Sequence, residues 1–301
     1  MKQVLIIGNP AAQNGNGQKA ARAAAEGLAH RLPAVRFELA LTERPGQAVE
    51  LAGEAAGWAD TVIAVGGDGL VHEIANGLMH VDATARPAFG LVPSGTGNDY
   101  ARTLGMSFEL ERALDQLAGA QERIFDVGCC NGEYFVETLS FGLDAAIALD
   151  TMERRRRTGK TGTRVFLESG IDMLLHHVEE YRYTASFDGG LPAKGGMFLF
   201  AVQVGPTYGG GFRICPDADP ADGLLDVCVV HPPLSIPKAT LIFLLAKDAH
   251  HTRFKALEFR QMKSLSIAFD REPPVQIDGE PFPAPSYDIS ITPAALKVLV
   301  G

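Results

Sequence analysis

The sequence is poor in cysteine, with four residues in 301: Cys129, Cys130, Cys215 and Cys228. That is too few for a disulfide framework at this length, and without a Cys-x-x-Cys pair no zinc ribbon is expected. It has no His-Glu-x-x-His run. The adjacent pairs His176-His177 and His250-His251 would point apart on a helix or strand, so the histidines predict no metal site. Long apolar runs are missing too. The longest, such as residues 241–246, fall far short of the roughly 20 residues a membrane span needs. The first ten residues read as a strand and a turn and lack the apolar core of a signal peptide. The expected location is therefore cytoplasmic, with any work on lipid done transiently at the inner face of the membrane. Positive charge is in deficit: 27 Lys and Arg against 36 Asp and Glu give −9. A surface built to hold nucleic acid is not expected, although a local basic patch is compatible with that total. No fixed-period repeat and no low-complexity tract occurs.

What is present is an ordinary globular composition, 46% hydrophobic and 21% charged. At roughly 150 residues per domain this length predicts two domains. The first third alternates strand and helix. Apolar runs at 4–7, 35–41, 61–65 and 89–92 read as strands, and residues 18–32, 45–58 and 70–78 read as helices. Such alternation predicts a parallel sheet with helices on both faces, whose ligands bind beyond the carboxyl ends of the strands. After about Phe125 apolar residues alternate with polar ones, as at Tyr181, Tyr183, Ala185 and Phe187 and at Leu265, Ile267 and Phe269. That pattern predicts half-buried antiparallel strands. Helical insertions are read at 164–177 and 235–246.

Three glycine-rich turns follow the early strands: Gly8-Asn9-Pro10-Ala11-Ala12-Gln13, Gly66-Gly67-Asp68-Gly69 and Pro93-Ser94-Gly95-Thr96-Gly97-Asn98-Asp99. Glycine lets the backbone approach a ligand closely, and the free N–H groups of a following helix suit phosphate. Asp68 could hold a magnesium ion or its water, or simply cap the helix. One such turn is ambiguous, whereas three on one sheet edge favour a nucleotide phosphate site. Gly159-Lys160-Thr161 resembles the end of a phosphate-binding P-loop, but Arg154 stands where that motif needs glycine.

In the second half, Tyr208-Gly209-Gly210-Gly211 precedes a carboxylate-rich turn from Pro216 to Asp226, suited to a hard cation or to a solvated loop. Asp278-Gly279-Glu280 sets two carboxylates on a turn, either of which could accept a proton from a substrate hydroxyl. The basic run Arg154, Arg155, Arg156 and Arg157, with Lys160 and Arg164, reads either as a solvated helix end or as a contact for anionic lipid.

The three glycine turns, Asp126-Val127-Gly128, Phe141-Gly142-Leu143-Asp144-Ala145, the block from Tyr208 to Asp226 and Asp-Gly-Glu occur in one order along nearly the whole chain. That order resembles the diacylglycerol kinase catalytic family, in particular the bacterial soluble lipid kinases related to sphingosine kinases. The resemblance implies an α/β + β fold. Residues 1–125, with about 290–301 returning, would form a three-layer α/β ATP-binding domain with a parallel sheet. Residues 126–289 would form a β-sandwich lipid domain, and ATP would sit in the cleft. It implies ATP contacts at Asn9, Pro10, Ala11, Ala12, Gln13, Thr42, Gly66, Gly67, Asp68, Gly69, Leu70, Val71, His72 and Thr96. It implies magnesium (Mg2+) held by the Asp222 side chain and the carbonyls of Asp219 and Leu224. Glu280 would be the proton acceptor, with Asp68 the alternative, and Asp144 would meet the lipid headgroup.

Three positions depart from that family's pattern: Leu70 follows the Gly-Gly-Asp-Gly, Ala-Ala-Gln-Asn-Gly follows Asn-Pro, and Ala221 stands before Asp222. The function expected is transfer of the ATP γ-phosphate to a primary hydroxyl of a diacylglycerol-like, phosphatidylglycerol-like or sphingoid lipid. A soluble-substrate kinase like NAD kinase shares the phosphate loop but lacks the block from Gly209 to Asp226. A lipid or nucleotide sensor without turnover would be expected to lose Asp68 or Glu280. Peripheral membrane contact falls to the four arginines, and a homodimer is left open.

Overall fold

A computed structural model describes residues 1–160, 163–176 and 178–301, with no side-chain description for Gln13, Asn14 and Thr163. Thr161 of the P-loop look-alike and His177 of the first histidine pair lie outside the described residues. The chain divides into two compact units, Met1–Asp126 with Ala294–Gly301, and Val127–Pro293.

The first unit runs β1 (Gln3–Gly8), α1 (Ala12–Gly15), α2 (Gly17–Arg31), β2 (Arg36–Leu41), α3 (Gln47–Ala55), β3 (Thr61–Gly66), α4 (Asp68–Met79), β4 (Ala88–Pro93), α5 (Asp99–Thr103) and α6 (Leu110–Ala118). The strands lie parallel in the order β2-β1-β3-β4. β1 and β3 are buried almost throughout, as continuous apolar runs require of a central parallel strand. The chain steps to one side of β1 to form β2 and then to its other side for β3. With right-handed crossovers that reversal puts α2 and α3 on opposite faces. α2 packs with α6 and α3 with α4. The helix expected over 45–58 is confined to Gln47–Ala55, because Gly46 is left-handed at φ 78° and the chain leaves the helix in a turn at Gly57. β5 (Gln121–Cys130) leads out of this unit.

The second unit continues with β6 (Glu133–Phe135), β7 (Thr138–Gly142), α7 (Leu143–Thr158), α8 (Thr163–His176), β8 (Tyr181–Phe187), β9 (Ala193–Met197), β10 (Leu199–Gln203), β11 (Leu225–Val230), α9 (Ile236–Ala246), β12 (Leu257–Met262), β13 (Ser264–Phe269), β14 (Val275–Ile277) and β15 (Glu280–Pro281). β16 (Tyr287–Val300) then carries the chain back, and Val298 pairs with Phe89 of β4. One antiparallel sheet has the order β12-β11-β10-β7-β14-β15. The other is built from the start of β16, β13, β8 and β9. Phe141, Phe200, Val227, Leu265, Ile267 and Tyr287 fill the space between them. The alternating pattern of the second half thus buries one face of each sheet, and the unit is an antiparallel β-sandwich.

The outer face of the six-stranded sheet is graded. Register places Val230, Leu199 and Gly142 side by side, then Cys228, Ala201 and Ser140, then Asp226, Gln203 and Thr138. α9 and the helix pair α7–α8 cover the apolar end. Leu199 and Gln203 are four strand steps apart along β10, roughly 13 Å at strand rise. Among the described residues no helix is long and apolar enough to cross a membrane.

Candidate active site

The carboxyl ends of the four parallel strands are in register. Gly8 lies opposite Leu41 on one side and Val65 on the other, and Gly66 lies opposite Pro93. Asn9, Thr42, Gly67 and Ser94 therefore leave the sheet along one edge. β1 and β3 flank the topological switch point, where open α/β sheets bind ligands. Asn9 stiffens its own turn: its side chain accepts the Ala11 N–H at 2.9 Å and its carbonyl accepts the Ala12 N–H at 3.1 Å. Thr42 is tied to the same edge through its N–H to the Gly8 carbonyl at 3.0 Å. The side chain of Gln13 lies outside the described residues.

The second and third turns touch through glycine. A Cβ on Gly95 would stand 2.3 Å from the Cα of Gly67, so no other residue fits without parting the two loops. Asp68 closes the junction. Its Oδ2 accepts the Asn98 N–H at 2.8 Å, and its Oδ1 accepts the N–H groups of Asp99 at 2.7 Å and Tyr100 at 3.4 Å. Asp68 therefore does not cap the helix it opens, where Gly67 holds that position. It caps α5 in the next turn instead. Asn98, left-handed at φ 53°, holds Gly95 at both ends of its peptide.

Leu70, Val71 and His72 are buried, so their side chains face the core. The N–H groups of Leu70 and Val71 both go to the Gly67 carbonyl, which leaves the Gly69 N–H without a backbone partner among the described residues at the helix start. Thr96 is partly exposed in the loop between Gly95 and Gly97. A glycine cradle, an open helix N-terminus and converging turns suit a nucleotide phosphate.

In the second unit the Asp278-Gly279-Glu280 turn separates its two carboxylates. Asp278 is buried, and its oxygens accept the N–H groups of Val136, Glu137 and Thr138 at 2.9–3.1 Å. Left-handed backbone at Asp278 and Gly279 turns the chain so that Glu280 is exposed. Asp278 is thus an anchor, and Glu280 is the member of the pair open to a substrate. The turn adjoins the polar end of the graded sheet face, since the Asp278 N–H donates to the Thr138 carbonyl at 2.8 Å. Gln203 Oε1 and Thr138 Oγ1, at that end, have no hydrogen-bond partner among the described residues.

At the apolar end lies a pocket lined almost wholly by carbon, with Leu143, Phe166, Leu199, Val230, Ile242 and Phe243 among its walls. Asp144 also lines it. Asp144 is 4% exposed and bonded to the Tyr208 hydroxyl, and burial pushes its carboxyl up to about 7, against hydrogen bonds from Tyr208 and Ser140. The sequence reading found Asp144 but not the pocket, whose walls come from residues far apart in the chain.

The magnesium set falls in one turn. Asp222 Oδ1 accepts the Leu224 N–H at 2.9 Å, Oδ2 faces Gln261 Nε2 at 3.3 Å, and the Asp222 N–H donates to the Asp219 carbonyl at 3.3 Å. Among the described residues no group of three or more His, Cys, Asp or Glu is arranged around a common centre. One carboxylate and two carbonyls still form an all-oxygen set that a hard, well-hydrated cation accepts. The nearby Asp226 carboxyl is raised to about 6 by burial and by the charges of Asp222, Asp217 and Asp219, so negative charge is concentrated here. These residues fit a magnesium ion.

The basic run is less available than its sequence suggests. Arg154 is ion-paired to both Asp150 and Asp172, which commits it to holding α7 against α8. Arg156 and Arg157 are exposed.

Comparison with known proteins decides the family. Residues 3–130 match the diacylglycerol kinase catalytic domain, and residues 137–300 match the YegS C-terminal NAD kinase beta sandwich-like domain. The chain belongs to the diacylglycerol kinase catalytic family. It is 32% identical over 264 residues to a Chromohalobacter salexigens protein named "Probable lipid kinase YegS-like", covering 85% of this chain and 81% of that one. It is 27% identical over 254 residues to the diacylglycerol kinase of Bacillus subtilis, covering 81% and 82%. The crystal structure of a diacylglycerol kinase from Bacillus anthracis has the same fold, with TM-score 0.81, 24% identity and coverage of 100% and 97%. An NAD kinase from Archaeoglobus fulgidus, solved with ATP, is a more distant relative in fold, with TM-score 0.55, 12% identity and coverage of 99% and 92%. The chain is therefore a kinase of the lipid kinase family, and its use of ATP follows from that membership.

Proposed function

We infer that this kinase transfers the γ-phosphate of ATP to a primary hydroxyl of a lipid. The observation that carries the reading is the carbon-lined pocket at one end of a sheet face whose other end is polar. A water-soluble acceptor such as NAD has no use for such a pocket, whereas an acyl or sphingoid chain does. The chain would lie over Leu199 and Val230, and the hydroxyl end would reach Gln203, Thr138 and the turn that carries Glu280.

Magnesium–ATP supplies the transferable phosphoryl group and an electrophilic phosphorus with its charge partly neutralised. Glu280 accepts the proton of the lipid hydroxyl as that oxygen bonds to the γ-phosphorus, and the bond to the β-phosphate oxygen breaks to release ADP. Asn9, Gly67, Gly69 and Thr96 orient the phosphates, and Asp68 is assigned to hold the second and third turns at the spacing they need. Asp222 with the Asp219 and Leu224 carbonyls would hold a magnesium ion that keeps the acidic turn closed. Asp144 would meet the first polar group beyond the buried chain.

The test is phosphate transfer from γ-labelled ATP with magnesium to a panel of lipids in mixed micelles, with NAD as a parallel acceptor. Label in one lipid, lost in Glu280→Ala, supports the reading and names the substrate. Label in NAD alone overturns it. No transfer to any acceptor with ATP still bound favours a sensor.

A further inference from the structure

We propose that α9, together with the exposed face of α8, is an insertion surface for an anionic lipid bilayer. α9, Ile-Pro-Lys-Ala-Thr-Leu-Ile-Phe-Leu-Leu-Ala, is apolar nearly all round, a composition ordinarily found only in fully enclosed helices. Its inner face, with Ala239, Ile242 and Phe243, lines the carbon-walled pocket. Its outer face is open: Leu241 is 49% and Leu244 47% exposed. At 11 residues it is too short to span a bilayer but suited to lie in its interface.

α8 extends the patch. Gly170 lets α8 approach the Phe243 ring so closely that a Cβ there would stand 2.2 Å from it. Next to this crossing Ile171 is 42% exposed, and Leu175, one turn on, 53%. Arg164, seven residues before Ile171, falls on the same helix face and is exposed. Contiguous exposed apolar side chains rimmed by charge mark an interaction site rather than ordinary surface.

Charge selects the occupant. Lys238 and Lys247 are exposed at the two ends of α9, and no carboxylate lies within the helix. Of the nearby carboxylates, Asp172 is bound to Arg154 and Glu168 faces Arg164 at 3.5 Å, while Asp248 follows Lys247 beyond the helix end. In a chain of net charge −9, an apolar ridge that carries no carboxylate and has Lys238 and Lys247 at its ends matches anionic headgroups over acyl chains. A helix apolar on both faces then gives a lipid chain a continuous carbon path from bilayer to pocket. That route rests on the kinase reading, but the docking itself does not.

Vesicle flotation tests the proposal, using phosphatidylglycerol–phosphatidylcholine vesicles against phosphatidylcholine alone. The full chain should partition onto the anionic vesicles, and the double variant Leu241→Ser, Leu244→Ser should lose about tenfold or more of that partitioning. Circular dichroism should show the variant folded, since both side chains are half exposed. A Leu241→Trp reporter in a Trp58→Phe background should be quenched by bromine-labelled acyl chains. Unchanged partitioning of the double variant, or a bound reporter that bromine does not quench, overturns the proposal. So does a concentration-dependent dimer that the same substitutions abolish in place of vesicle binding.

Transfer to a short-chain acceptor dissolved below its micelle concentration separates the two readings. Transfer without vesicle binding removes the docking surface alone. Vesicle binding that depends on Leu241 and Leu244, without transfer to any lipid, supports the docking surface and removes the lipid-acceptor reading alone.

Discussion

Asp68 and Asn98, thirty residues apart, are joined by a 2.8 Å hydrogen bond from the Asn98 N–H to the Asp68 carboxylate. The same carboxylate takes the N–H groups of Asp99 and Tyr100, so one side chain couples the two glycine turns next to the open helix start. Removing it should cost stability as well as turnover. Asp68→Ala forfeits three charge-assisted bonds, about 2–4 kcal/mol by urea unfolding, and calorimetry should show ATP affinity falling in parallel. Asp68→Asn keeps one acceptor oxygen and should lose roughly half as much. If Asp68 served only as a base, both variants would bind ATP normally and lose kcat alone.

Glu280 invites the opposite result. It is exposed, and its carboxylate has no hydrogen-bond partner among the described residues. Glu280→Gln should leave the melting temperature within about 1 °C and ATP affinity unchanged, while kcat falls by about 10²–10⁴. Asp278→Asn, two residues away, should instead destabilise the fold, since three buried N–H groups lose a charged acceptor.

The early strands and turns were legible because parallel strands and glycine loops leave local signatures. Residues 61–69 alone announce strand, turn and helix start. The half-buried strands at Tyr181–Phe187 and Ser264–Phe269 were equally plain by alternation. Local pattern could not tell Asp278 from Glu280, because the bonds that bury Asp278 reach back some 140 residues to Val136 and its neighbours. It could not reveal the pocket or the coupling of Asp68 to Asn98 either, since both arise from contacts between distant segments. Local pattern predicts a helix at α9, but its two apolar faces acquire meaning only because one lines a cavity and the other faces solvent.

Asp144 gives stability a defined pH dependence. Its carboxyl is raised to about 7 in the folded chain against about 3.8 when unfolded. Between those values the folded state keeps a proton that the unfolded state has released, so stability falls as pH rises from about 4 to 7 and then levels off. The whole window is worth at most roughly 4 kcal/mol. Urea titrations across pH 5–8 should show this decline in the wild type and a flatter profile in Asp144→Asn.

The acidic turn should respond to magnesium without nucleotide. If the ion is held by Asp222 with the carbonyls of Asp219 and Leu224, saturating magnesium should raise the melting temperature by a few degrees, in line with about 2–3 kcal/mol at a hundredfold excess over Kd. Asp222→Ala should abolish that shift. An equal shift in the variant would place the effect elsewhere.

Gly95→Ala probes the phosphate cradle with a single methyl group. The new Cβ would sit 2.3 Å from Gly67 Cα and 2.6 Å from Asn98 Oδ1, two contacts that cannot both relax. The backbone of one turn must move, and the Gly95 N–H to Asn98 bond at 2.8 Å must lengthen or break. Because Asp68 ties the same turns together, the displacement should carry through to the start of α4. ATP affinity should therefore fall by at least about tenfold, while vesicle binding through α9 is untouched. Gly46→Ala is the control: Gly46 is left-handed at φ 78°, but a Cβ there meets nothing within 4 Å. It should cost about 1 kcal/mol of stability from backbone strain and leave ATP affinity as it was. Equal ATP binding by the Gly95 variant and the wild type would mean that the contact between the two turns is packing alone and that the phosphates are held elsewhere.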